Sequence, residues 1–106
     1  MTRMTPEVRA IYERLLSVAR AIGPFTEDPN QSSIHLRCGT VFAGVTPRKD
    51  ALILTIKSDA DIRSKRIFKR QQASARRWHL EIRLDDPKQV DRELKSWLKD
   101  AMKLSS

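Results

Sequence analysis

Cysteine is almost absent from this chain. Cys38 stands alone in 106 residues, which excludes an internal disulfide and suits a reducing compartment, so the cytoplasm is the expected location. Long hydrophobic runs are missing as well. The uninterrupted apolar stretch Ala51–Leu54 is far shorter than a membrane-spanning helix requires. The opening residues, MTRMTPEVRAIYERLL, turn charged and helical at once and are read as carrying no secretory leader. With only three glycines there is no Gly-rich phosphate loop, and no zinc-knuckle or helix-turn-helix spacing occurs. The size and the 40% apolar fraction fit one domain, residues 1–106, with a modest core.

A more informative absence is that of acid between Arg63 and Arg77. That stretch holds seven Lys or Arg and no Asp or Glu, so it supplies seven of the net +8 charges and leaves about +1 for everything else. The remainder reads as an ordinary mixed surface. Asymmetry of this kind favours an acidic partner: DNA or RNA first, then an acidic protein or an anionic membrane surface.

The first helix is well signalled over residues 6–22. Thr5 can cap it, Pro6 suits its first position, and Gly23-Pro24 ends it. Val8, Ile11, Tyr12, Leu15, Ala19 and Ile22 recur at helical spacing and form its buried stripe. FTEDPNQ reads as a polar loop. Strands are expected at about 32–38, 41–46, 51–57 and 78–84. Of these, ALILTIK is apolar on both faces and therefore central. RWHLEIRL alternates cleanly, with Trp78, Leu80, Ile82 and Leu84 inward. A closing helix at about 87–103 begins with Asp86-Pro87, has Gln89 placed for a capping box, and buries Val90, Leu94, Trp97, Leu98 and Ala101. The expected fold class is α+β: a single antiparallel sheet of four to five strands, with the N-terminal and C-terminal helices packed on one face.

The basic segment admits two conformations. On a helical wheel Arg63, Lys65, Arg66, Lys69 and Arg70 gather on one side, with Ser64, Ile67, Phe68 and Gln71 opposite, the pattern of a short amphipathic helix anchored by Ile67 and Phe68. A strand through RIFKRQ, turned by ASAR into the strand at Trp78, fits equally. Either form presents cations to phosphates, through Arg63, Lys65, Arg66, Lys69, Arg70, Arg76 and Arg77. Phe68 and Trp78 can stack on unpaired bases, yet each lies on the apolar side of the pattern, so core packing is the expected use.

Candidates for chemistry are few. If their strands were neighbours, His35 and His79 with Glu81 would share a face as a weak metal set. Cys38 alternates onto the opposite, apolar face and has no activating partner. Asp85 and Asp86 are better explained by capping. No catalytic residue, cofactor or metal is expected, and a non-enzymatic binding module is the reading. Its partner is the phosphate backbone of a nucleic acid, bound with little sequence preference; the alternative is a protein-interaction or regulatory module with an acidic partner.

The run SIHLRCGTVFAGVTPRKDALILTI, followed by RWHLEIRL and VDRELKSWLKDAM, resembles a small bacterial domain-of-unknown-function family whose members are sometimes called predicted transport proteins. The similarity covers nearly the whole chain. Its most distinctive parts are Phe42 to Lys49, the His79 strand, and Asp91, Glu93-Leu94 and Trp97-Leu98. The resemblance implies a helix, an antiparallel sheet and a closing helix, with residues 66–72 extended. It brings no catalytic residues, and nothing in this sequence supports transport. The chain departs from the family pattern in ending its last helix with Ala101-Met102 rather than Ala-Tyr, and in its strongly basic segment. The element order is also similar to that of frataxin-like iron chaperones. Those use an acidic first helix, whereas here Arg9, Arg14 and Arg20 oppose Glu7 and Glu13, which argues against that role.

Overall fold

A computed structural model describes residues 4–105. Helix α1, Pro6–Ile22, begins where Thr5 accepts the Val8 N–H at 3.3 Å and ends where the Gly23 N–H returns to the Ala19 carbonyl. Six strands follow: β1 Thr26–Pro29, β2 Ile34–Cys38, β3 Thr40–Pro47, β4 Leu52–Ser58, β5 Ile67–Ser74 and β6 Arg77–Leu84. A 3-10 turn, Pro87–Gln89, leads to helix α2, Arg92–Ser105. The strands form one antiparallel sheet in the order β1-β2-β3-β4-β6-β5. After β4 the chain moves out to the sheet edge, makes β5, and returns through Ala75-Arg76 so that β6 fills the place beside β4. Gly39 turns β2 into β3 at φ 79°, a conformation in which a Cβ would be strained.

Alternation decides which face is buried. In β4, Leu52, Leu54 and Ile56 are buried while Ile53, Thr55 and Lys57 are half-buried. Register carries the same phase across the sheet: Leu54 pairs with Val45 and Ile82, and Ile56 with Ala43 and Leu80. Both helices close over this face, burying Leu15, Leu94, Leu98 and Ala101 against it. At the β1 edge the Tyr12 hydroxyl donates to Glu27 at 2.5 Å, and Glu27 also takes Arg20 at 3.3 Å. Burial and the Glu27 carboxylate together push the Tyr12 phenol well above its ordinary pKa, so it stays a donor.

The α+β class and the terminal helices agree with the sequence reading, but the sheet has six strands rather than four to five. The two additions are the edges. β1 lies in the stretch read as a loop, because TEDP buries no face and carries Pro29, which only an edge tolerates. β5 lies in the basic segment and removes the amphipathic-helix reading, leaving the extended form. The last helix is also shorter at its start. Asp86 and Gln89 do make the expected capping box, but around the 3-10 turn, and Val90 then buries itself with ψ 78°, breaking the helix. Asp91 restarts it by accepting the Leu94 N–H at 3.1 Å. No helix among the described residues is long and apolar enough to cross a membrane.

Candidate nucleic-acid interface

β5 pairs with β6 along one side only, so its other side is a free sheet edge. Its register slips twice against β6: Ile67 faces Ile82, but Lys69 already faces Glu81, and Gln72 faces Trp78 while Ser74 faces Arg77. Each slip inserts an unpaired residue, first Phe68 and then Ala73. Ile67 is buried, whereas Phe68 is 56% exposed, the one exposed large hydrophobic side chain among the described residues. The expectation that Phe68 packs in the core is thereby corrected: the bulge turns it outward. Trp78 is partly buried against the core, as expected.

The seven cations do not form one surface. Arg66 is drawn inward: one guanidinium nitrogen contacts Asp91 at 3.0 Å and Glu93 at 3.1 Å, and another donates to the Gln89 carbonyl. Its guanidinium carbon sits 5.5 Å from the centroid of the Trp97 ring, within cation–π range. Arg70 lies on Asp61 at 2.7 Å and reaches the Ile62 carbonyl at 3.3 Å. These two arginines latch the β5 edge to α2 and to its own leading loop. Lys69 leans towards Glu81 at 3.8 Å, and Arg63, almost fully exposed, shares Asp61 at 3.7 Å. Lys65, Arg76 and Arg77 have no carboxylate partner among the described residues. Seven cations less the four carboxylates that reach them leave a local excess of +3.

Arg66 therefore acts in stability. Arg66→Met should cost about 1–2 kcal/mol, the lower range for charge-assisted bonds because Asp91 and Glu93 are half-exposed. Burial pushes the Asp91 carboxyl up, but the Leu94 N–H and the Arg66 guanidinium outweigh it and hold the carboxyl below its ordinary value. A depressed folded-state pKa stabilises above the unfolded Asp value, about 3.9, and the contribution fades as pH falls through the folded value. Urea unfolding at neutral and at acidic pH should thus show the Arg66→Met penalty shrinking below about pH 4.

The metal candidates are not assembled. β2 and β6 are separated by β3 and β4, so His35 and His79 stand on one open face but on strands about 14 Å apart, at three strand spacings. His79 is also offset by two residues from the position across from His35. Glu81 lies on that face beside Thr55 and Lys69. Among the described residues no three His, Cys, Asp or Glu gather closely enough to hold a metal ion. His35, His79, Gly44, Thr55 and Lys57 instead border a shallow dent of about 250 Å³, which exists because Gly44 lacks a side chain between His35 and Thr55. Cys38 is half-buried against the core.

With this geometry, a family profile described as a domain of unknown function, DUF5655, matches residues 2–105. The chain belongs to the DUF5655 family. That description assigns no activity, so the transport label sometimes given to relatives gains nothing from the match. No curated protein and no solved structure matches the chain. The functional reading of this DUF5655 domain therefore rests on its own residues.

Proposed function

We propose that this domain is a non-enzymatic, cytoplasmic module that binds single-stranded nucleic acid along the β5 edge, with little base preference. The observation that carries this is Phe68, an exposed ring on a free edge, flanked by Lys65 and Lys69. An aromatic platform stacks on any unpaired base, and adjacent cations neutralise the phosphates on either side. β5 is eight residues long, about 26 Å at the rise of an extended strand. Lys65 and Arg63 stand before one end, and Arg76 and Arg77 at the other. That length is a track for several nucleotides rather than a pocket for one. Rings and cations read the backbone and the π-face of a base, not its edge, so specificity is low.

The test is fluorescence anisotropy with a labelled pyrimidine single strand and its matched duplex, over a range of salt. Phe68→Ala should weaken single-strand binding by roughly 5- to 150-fold, the range of one lost stacking contact. Duplex binding should change little, and the melting temperature should stay the same because the ring is exposed. Equal, weak binding of both probes with no effect of Phe68→Ala would refute the reading. The free backbone edge also suits an extended acidic segment of a partner protein adding a strand to β5. That arrangement would be blocked by proline within β5 and indifferent to oligonucleotides.

A further inference from the structure

Away from the β5 edge, the outer side of α1 and the start of α2 enclose a groove of about 610 Å³. Arg14 and Ser17 of α1 stand on one wall, and Lys88, Arg92 and Lys95 on the other. None of these four cations meets a carboxylate among the described residues. The one acid lining the groove, Asp91, is already engaged by Arg66 and by the Leu94 N–H. The first turn of α2 also lines it and adds the positive end of the helix dipole. Four unneutralised charges brought together from three elements repel one another, and an anion would relieve this. The floor is apolar where the buried Val18 and Val90 approach.

From this arrangement we infer that the groove between α1 and α2 is a second anion site, one that takes a ligand bearing two or more phosphate groups. It is independent of the β5 edge and of the nucleic-acid reading. Inorganic polyphosphate and a nucleoside triphosphate share the chemistry the cations recognise. The apolar floor distinguishes them, since only the nucleotide has a flat base to lay on it. The ligand spans the groove, with phosphates between Arg14 on one wall and Arg92 and Lys95 on the other.

The experiment is calorimetric titration of the full chain at low salt with inorganic tripolyphosphate, and in parallel with adenosine triphosphate. Saturable tripolyphosphate binding is expected. It should weaken about tenfold in Arg14→Gln/Lys95→Gln, the scale of two screened ion pairs. Lys88→Gln alone provides a second variant, and glutamine keeps the helix propensity of both α1 and α2. Tighter binding of the triphosphate than of tripolyphosphate places the base on Val18 and Val90, and equal binding makes the groove a reader of phosphate alone; either supports the site. Absence of saturable binding overturns it. So does full affinity in the groove variants, or an equal loss in Arg76→Ser/Arg77→Ser, which would return the anion to the β5 edge.

Discussion

Replacing Lys65, Arg76 and Arg77 together with serine is expected to weaken single-strand binding about a hundredfold at roughly 0.1 M salt, and to lower the log–log salt slope by about 2. Each phosphate contact on a single strand contributes about 0.7 to that slope, so three contacts contribute about 2 log units at that salt. The choice of residues follows from the ion pairs. These three have no carboxylate partner among the described residues, so their charge is available to a ligand. Lys65 and Arg76 are exposed, so serine there should shift stability by no more than about 0.5 kcal/mol at each, while at the half-buried Arg77 it also removes the guanidinium bond to the Arg76 carbonyl. A variant set that included Arg66 or Arg70 would confuse two effects, because those guanidinium groups hold the edge in place. Anisotropy across salt, with a thermal melt of each variant, separates them. If the triple variant folds normally and binds with unchanged slope, the β5 edge is not the nucleic-acid surface.

Trp97→Ala should destabilise the domain by about 3–5 kcal/mol, the usual cost of deleting a buried aromatic. For a domain of this size that corresponds to a fall in melting temperature of roughly 12–30 °C. Trp97 is buried on the inner face of α2, and its ring also carries the Arg66 guanidinium. Two losses thus coincide, the apolar packing of α2 and one support of the β5 latch. Trp97→Phe keeps a ring in both roles and should recover most of the stability. A double-mutant cycle of Trp97→Leu, which removes the ring, with Arg66→Met isolates the cation–π part, expected at about 0.5–2 kcal/mol. Additive effects in that cycle would mean that Arg66 is held by Asp91, Glu93 and the Gln89 carbonyl without help from the ring. At a typical domain stability of about 5–15 kcal/mol, Trp97→Ala removes a large share of the total.

Much of the fold could be read from periodicity. α1 places Val8, Ile11, Tyr12, Leu15 and Ala19 in the core as their spacing indicates, between the expected caps. β6 buries Leu80, Ile82 and Leu84 and leaves His79 and Arg83 out. These elements have one face in the core and one in water, and that difference writes a period into the sequence. β5 and β1 do not have it. Along β5 only Ile67 is buried and the next seven residues are exposed, so no alternation marks it, and two bulges would have broken one. The helical-wheel separation of Arg63 to Gln72 was a coincidence of spacing in a segment with one buried side chain. Phe68 is the clearest case, because the residue type says core and the bulge says solvent.

The amino-acid sequence alone determined the class, the helices, the inner strands, the lone thiol and the location of most of the net charge, all set by composition and by contacts close along the chain. Tertiary structure decided which charges are free. Asp91 and Glu93, more than twenty residues beyond Arg66, take its charge out of the surface. Conversely, a remainder with a net charge of only about +1 conceals Arg14, Lys88, Arg92 and Lys95, which come together only when α2 packs beside α1. Net charge adds along a chain, but an ion pair forms only between groups a few ångströms apart, and that distance is set by the packing of the fold.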